Sequence, residues 1–490
     1  MQFPVLSLLI FIPLLTGVAL LVLPNRWKPY ARWIALGSAG ITAILSLIVY
    51  FGYDVAQGGY QFQEQYPWVP ALGISYHVGV DGISVPMVLL SGLVVLSGVV
   101  VSWKVEDRPS EFFAFIMFLG ASVLGVFTSL DLFQLFFFFE IAVFPKYLMI
   151  ILWGYPKTRE YGGMKLTIYL FLGSMVALVG ALALYFGSGL RTFDLLELEK
   201  AGFPAEFQRL WFPFVFLGFG ILGGIFPFHS WAPDGHVAAP TAVSMLLAGV
   251  EMKVGVFSAL RIAIMLMPEG ARMWAPLILG LGTVNVVYGA LIALIQKDFK
   301  YVIGFSSVSH MGLVMLGFAS LNAEGLTGAG MQMFSHGVMT ALFFAIVGMV
   351  YDRTHTRELS KLGGLFRKMP IAAIGFIVAG MVSMGMPGFS GFIAEFPIFM
   401  GVWKASPVVA VIAILGVLIT AAYILLVVRR VFFGDLPAEF EKSVQDIPLR
   451  DKLVVLGLSL VMIAIGWFPS LMVPMVQSGV RYILALLGGA

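Results

Sequence analysis

The sequence contains no cysteine, and charge is scarce: only 11% of its 490 residues are Asp, Glu, Lys or Arg. Without cysteine the chain can hold no disulfide, no thiolate metal site and no cysteine-ligated iron-sulfur cluster, although this leaves its compartment undecided. Against 60% hydrophobic residues, so low a charged fraction cannot cover a globule of this length with polar surface. Long polar stretches are missing as well. The longest, residues 53–82, 188–209 and 433–450, are too short to fold a core alone, so 1–490 reads as a single membrane domain. The net charge of +3 is small and gives no sign of a nucleic-acid partner.

What the chain has is apolar runs of about 20 residues, the length that crosses a hydrocarbon core of about 30 Å as a helix. They fall near 3–23, 31–52, 83–103, 111–130, 131–153, 164–188, 210–228, 240–266, 274–296, 300–320, 325–351, 370–401, 405–432 and 451–471. The expected fold class is therefore an all-α polytopic membrane protein of about fourteen transmembrane helices. The first run lacks the basic start and small-residue cleavage site of a signal peptide and is read as an integral helix. Segment 472–490, with "VPMVQSGVRYILALLGGA", reads as an amphipathic surface helix or a shallow interfacial tail.

Lysine and arginine set the expected orientation. With the N-terminus outside, 20 of the 29 basic residues fall in inner loops, six in outer ones, and Lys146, Lys253 and Arg261 within spans. Both termini are then expected on the outer, periplasmic side of a bacterial cytoplasmic membrane.

Two spans carry glycine and proline that a lipid-facing helix would avoid: "GGIFPFHSWAPDGH" in the seventh and "GMPGFSGF" in the twelfth. Each interrupts the fourth member of a five-helix unit if 111–266 and 274–432 are two repeats. An odd number of spans per unit inverts the second, and paired breaks in inverted repeats point to a transport pathway at the bilayer midplane.

The stretch "LFQLFFFFEIAVFPKYLMII" places Glu140 behind four phenylalanines, roughly 14 Å into its span, and Lys253 lies roughly 18 Å into the eighth. Glu395 follows the second break, and His310 and His336 sit in "SSVSHMG" and "QMFSHG". A charge at such depth costs about 3 kcal/mol or more, so these five are candidate members of a proton path. Each has a structural alternative, a static Glu140–Lys253 ion pair or packing histidines. Arg261, near the outer end of its span, is expected to snorkel. His77 and His355 fall in loops.

The segments "HVGVDGIS", "FFFFEIAVFP", "PFHSWAPDGHVAAPTAVSMLLAGVEMKVG", "FSSVSHMG" and "MPGFSGFIAEF" resemble the antiporter-like subunits M of proton-pumping NADH:quinone oxidoreductase, respiratory complex I, whose mitochondrial counterpart is core subunit four. The resemblance runs from about residue 75 to 435. It implies fourteen helices, two inverted five-helix repeats and a central hydrophilic axis. It also implies a proton-translocating membrane-arm subunit, coupled to quinone reduction carried out elsewhere. By the same resemblance this chain holds no cofactor, while NADH, flavin, iron-sulfur clusters and quinone belong to partner subunits. The partners are other membrane-arm subunits, further antiporter-like ones among them.

In the family a glutamate on helix 5 pairs with a lysine on helix 7, a lysine on helix 8 is central, and a glutamate on helix 12 passes the proton outward. Glu140, Lys253 and Glu395 match three of these positions, and His310 and His336 match the connecting histidines. The helix 7 lysine is replaced by Leu222. Lys146 and Glu251 stand where apolar residues are expected, so they are read as satisfying one another, unless Lys146 takes over the partnership with Glu140 or snorkels. Two other functions share the fold: a subunit of a multisubunit cation/proton antiporter or membrane-bound hydrogenase, and a scaffold that has lost pumping. The electron donor, quinone, proton stoichiometry and any carriage of sodium are not written in this chain.

Overall fold

In hydrocarbon a backbone amide has no water to turn to, so an apolar segment must satisfy its own N–H and C=O groups, and a helix does this within one segment. The computed structural model describes residues 3–488, and it is built almost wholly of such helices. The end residues 1–2 of the membrane domain and 489–490 of the C-terminal segment lie outside the described residues. The principal helices are α1 (Val5–Leu21), α2 (Ala31–Gly52), α3 (Ser84–Val101), α4 (Pro109–Thr128), α5 (Leu132–Trp153) and α6 (Arg159–Ser188). They continue with α7 (Ala205–Leu222), α8 (Trp231–Ala238), α9 (Thr241–Ile264), α10 (Pro268–Ile295), α11 (Phe299–Ala319) and α12 (Ala323–Thr354). The last five are α13 (Pro370–Ser383), α14 (Ser390–Ala405), α15 (Pro407–Phe432), α16 (Leu449–Trp467) and α17 (Val473–Leu486).

Among the described residues, ten helices are long and apolar enough to cross a bilayer. The other expected passes fall short for visible reasons. α1 has 17 residues, α16 opens on Arg450, Asp451 and Lys452, and the seventh and twelfth spans are split into α7 with α8 and α13 with α14.

The splits occur where the glycines and prolines foretold them, and other helices mend the exposed backbone. At the first, Asn285 of α10 accepts from the Phe226 amide at 2.7 Å and donates to the carbonyls of Gly224 (2.7 Å) and Val308 (3.3 Å). At the second, the chain turns through Gly385 and Gly388, both at positive φ, where a side chain would be strained. A further interruption, not expected from the sequence, divides α5 at Ala142. Pro145 causes it, because it has no N–H to return to Ile141. α9 is irregular too, with π-helical turns at Leu247–Glu251 and Ala259–Ile264.

The polar stretch 53–82 is not a plain loop. It forms an antiparallel hairpin, β1 (Gln61–Val69) with β2 (Ile74–Val80), paired through Gln65 with His77 and Tyr66 with Tyr76 and turned at Gly73. Trp68 lies on β1 and packs edge-on against Phe133 and Phe137 of α5, at 5.8 and 5.6 Å between ring centroids. His77, expected in a loop, is buried on β2 and meets Asp194 at 2.7 Å.

Burial sorts the helices by position. The most apolar windows of α9 and α12 are entirely buried, whereas less than half of those of α6, α10 and α15 is buried, and they are leucine- and valine-rich. The polar groups singled out above lie mainly on the enclosed helices: Glu251 and Lys253 on α9, His310 on α11 and His336 on α12.

Candidate functional site

Glu140 sits just before the interruption of α5. It is half-buried, and its neighbours on the same helical face, Phe137 and Phe144, are exposed. One carboxylate oxygen is enclosed without a hydrogen-bond partner, and among the described residues no cation pairs with it. Glu140 therefore borders the outer surface of the bundle rather than its axis.

Lys146 follows on α5 about 120° around the helix from Glu140, since six residues turn it through about 600°. Its side chain is 1% exposed, and its ammonium forms an ion pair with Glu251 of α9. It does not snorkel. Leu222, at the C-terminal end of α7, lines the same cavity of ≈ 10 Å³ as Lys146 and Glu251. That is about the smallest space able to hold one water. The second Glu251 oxygen is buried without a protein partner and is the polar group such a water would meet.

Lys253, two residues beyond Glu251, points to a different side of α9 and is fully buried. Its ammonium donates to the carbonyl of Ala248 within the π-helical turn, where the Met252 amide reaches back five residues to Leu247. No carboxylate lies within ion-pair distance of it among the described residues. The static Glu140–Lys253 pair weighed from the sequence is absent from this arrangement.

His310 and His336 stack at 5.3 Å between ring centroids, 22° from parallel. Both nitrogens of His336 are buried without partners. His310 faces two backbone carbonyls, Ser306 at 2.8 Å from Nδ1 and Ser383 at 3.1 Å from Nε2. Carbonyls only accept, so a neutral ring can donate to one of them at a time and a protonated ring to both. Ser383 is the last residue of α13, so His310 takes up a carbonyl that the helix break has freed. Glu395 of α14 completes the group: Oε1 lies 3.6 Å from His310 Nε2 and accepts from Gln332 Nε2 at 3.2 Å.

A second buried ion pair lies off this row. Arg261, expected to snorkel, is instead 3% exposed and paired with Asp81 of the "GVDGIS" segment. The reason is local: Asp81 lies at the start of α3, where it also accepts from the amides of Ile83 (3.1 Å) and Ser84 (2.9 Å). Burial pushes the Asp81 carboxyl up, and the adjacent guanidinium together with the Ser84 amide and hydroxyl more than reverses this, holding it below the ordinary carboxylate range. Arg261 also donates to Tyr60 at 2.9 Å and packs over Phe257, 5.0 Å from the ring centroid. Tyr60 in turn touches Tyr482 of α17, whose hydroxyl donates to Glu199 at 2.5 Å. Burial raises the Glu199 carboxyl above its usual range. Nothing near Arg261 in sequence announces this partner 180 residues away.

The fold that holds these groups is one that known proteins share. The family described as NADH:quinone oxidoreductase/Mrp antiporter, TM, matches residues 129–420, more than half of the chain. The chain belongs to this family. The match takes in Glu140, Lys146, Glu251, Lys253, His310, His336 and Glu395. The NADH-quinone oxidoreductase subunit M of Rhodobacter capsulatus is 36% identical over 496 residues, covering 98% of this chain and 96% of that protein. The NAD(P)H-quinone oxidoreductase chain 4 2 of Thermosynechococcus vestitus is 36% identical over 477 residues, covering 96% and 89%. A chain of respiratory complex I from Thermus thermophilus with bound NADH superposes with a TM-score of 0.91 at 30% identity, covering 99% of this chain and all of that one. As a member of the NADH:quinone oxidoreductase/Mrp antiporter family, the chain is a multi-pass membrane protein.

Proposed function

We propose that this chain is a proton-translocating membrane-arm subunit of a respiratory NADH:quinone oxidoreductase, of the subunit M or chain 4 kind. The observation that carries the reading is the His310–Glu395–Gln332 group at the α13/α14 break, next to the His310–His336 stack. A carboxylate and an imidazole within 4 Å can exchange a proton through a small displacement, and the enclosed helices keep bulk water from short-circuiting the transfer.

In this reading Lys253 is the central switching charge, His336 and His310 carry the proton onward, and Glu395 releases it. Glu140 faces a charge or water supplied at the bundle surface. Lys146 and Glu251 satisfy one another beside Leu222, which stands where the resemblance expects the helix 7 lysine. We further infer fourteen passes arranged as inverted repeats over 111–266 and 274–432, a reading supported by the breaks of the seventh and twelfth spans, the fourth member of each repeat. The distribution of basic residues supports both termini on the periplasmic side of a bacterial cytoplasmic membrane. The other membrane-arm subunits are the partners, and the redox cofactors reside in them; this chain has no cysteine to ligate an iron-sulfur cluster.

An antiporter subunit is the second reading, since the family description names both. Identity of 36% across nearly the full length to quinone oxidoreductase subunits favours the first. The test uses the intact complex in proteoliposomes, with and without Lys253→Ala. Wild type should acidify one compartment when given NADH and quinone, and the assembled variant should lose most of that pumping together with the coupled turnover. Full coupled turnover in an assembled Lys253→Ala complex would refute the assigned role, and sodium/proton exchange without redox coupling would favour the antiporter.

A further inference from the structure

Where α9 begins, on the face that carries most of the basic loop residues, a cavity of ≈ 190 Å³ opens beside exposed Pro156. Its lining includes Tyr155, Thr241, Lys300, Gly348, Tyr351 and Arg357. Several waters' worth of space is available, since one water takes about 30 Å³ of liquid.

The cations of this cavity are unevenly neutralised. Lys300 is 4% exposed, and its ammonium donates to one protein acceptor, the Ala239 carbonyl at 2.6 Å. Among the described residues no carboxylate lies within 4 Å of it. The nearby Asp298 is engaged elsewhere: one oxygen accepts from the amides of Lys300 (2.7 Å) and Tyr301 (3.3 Å), and the other pairs with Arg357 Nε at 3.2 Å. Arg357 is held against the ring of Tyr155, 4.3 Å from its centroid, with Nη1 on the Val237 carbonyl at 2.9 Å. A third source of positive potential meets the two side chains, because α9 starts at Thr241, in the cavity wall, with no side chain capping its first amides. A helix N-terminus leaves those amides free and concentrates partial positive charge there.

We propose that this cavity binds a phosphate group, with the Lys300 ammonium and the Arg357 guanidinium as its charged contacts and the first turn of α9 as its neutral donor. Two cations and a helix N-terminus converging on one space suit a tetrahedral oxyanion better than a lone water cluster, which would leave the enclosed lysine without a counter-charge. The two sources of this chemistry are the headgroup of an anionic phospholipid and free inorganic phosphate. Tyr155 and Tyr351 in the wall suit the headgroup level of a bilayer, and basic pockets between helices on the positively charged side of membrane proteins take such headgroups. The proposal rests on the cavity alone and does not depend on the proton path.

The experiment uses the intact complex, as wild type and as Lys300→Gln with Arg357→Gln. In one arm it is reconstituted into nanodiscs of phosphatidylcholine with and without phosphatidylglycerol, and retained phospholipid is counted by native mass spectrometry. In the other, binding of radiolabelled inorganic phosphate is measured by equilibrium dialysis. Wild type should retain one more phosphatidylglycerol than the variant, or bind phosphate at least about tenfold more tightly; which arm responds identifies the source. Equal binding in both arms overturns the proposal. Should the variant fail to assemble, a density map of the wild-type complex decides: a tetrahedral group in contact with Lys300 Nζ supports the site, and water alone or an empty cavity overturns it.

Discussion

Lys146 of α5 pairs with Glu251 of α9, and not with Glu140 six residues before it on its own helix. Each partner is almost fully enclosed, so neither charge has water to fall back on. A buried pair contributes little net stability, whereas removing one member strands the other at a cost of about 3 to 5 kcal/mol. Lys146→Met or Glu251→Leu alone should therefore reduce the yield of assembled complex sharply. The double change should restore assembly and most coupled turnover, because it replaces the pair by apolar groups of similar size. The check is a double-mutant cycle on assembly yield and NADH-driven proton uptake, and additive losses would show that the two residues do not act as a unit.

At the α13/α14 break, Glu395→Gln keeps an acceptor for Gln332 and removes the titratable group. The complex should assemble and stay stable while coupled pumping falls by about tenfold or more, as for other lost acid-base groups. His310→Ala should cause a similar loss, and the pair of changes should cost little more than either alone if the two groups act as one relay. Proton uptake per quinone reduced is the deciding measurement.

Much of this arrangement was legible in the sequence, and the parts that were not share a cause. The passes show in the length of their apolar runs, and the breaks near Pro227 and Pro387 show because glycine and proline act locally. The β1–β2 hairpin could have been found from the alternation in "QFQEQYPWV" and the glycine at Gly73. Partner choice is another matter. Lys146 could reach toward Glu140, Glu251 or the interface, and only the packing of α5 on its neighbours decides among them. Arg261 looked like a snorkelling residue because Asp81 is remote in sequence. The π turns of α9 have no composition of their own, and Pro145, which interrupts α5, lies between flanks so apolar that the run reads as one helix.

The Asp81–Arg261 pair ties the end of α9 to the start of α3 and, through Tyr60, to α17. Arg261→Met leaves the buried Asp81 with only its local Ile83 and Ser84 donors and no counter-charge, so its carboxylate is destabilised by about 3 to 5 kcal/mol or takes up a proton. The purified complex should lose thermal stability. Adding Asp81→Asn, which keeps an oxygen for the Ile83 and Ser84 amides, should recover most of it. Arg261→Lys should rescue only partly, since an ammonium cannot reproduce the flat stacking on Phe257 together with the bond to Tyr60. Thermal unfolding of the three variants, followed by retention of the subunit in the complex, tests this order.

Leu222 offers the sharpest test of how charge is arranged around α5. Its side chain shares a cavity of only ≈ 10 Å³ with Lys146 and Glu251, so Leu222→Lys places a second cation beside an already neutralised carboxylate. Two ammonium groups competing for Glu251 in an enclosed site leave one uncompensated, at a cost of several kcal/mol. The single substitution should therefore impair assembly even though it places a lysine where the resemblance expects one. Combined with Lys146→Met, the same substitution should be tolerated, because the new ammonium inherits Glu251 and the total charge is unchanged. Near-normal assembly of Leu222→Lys alone would refute this competition for Glu251.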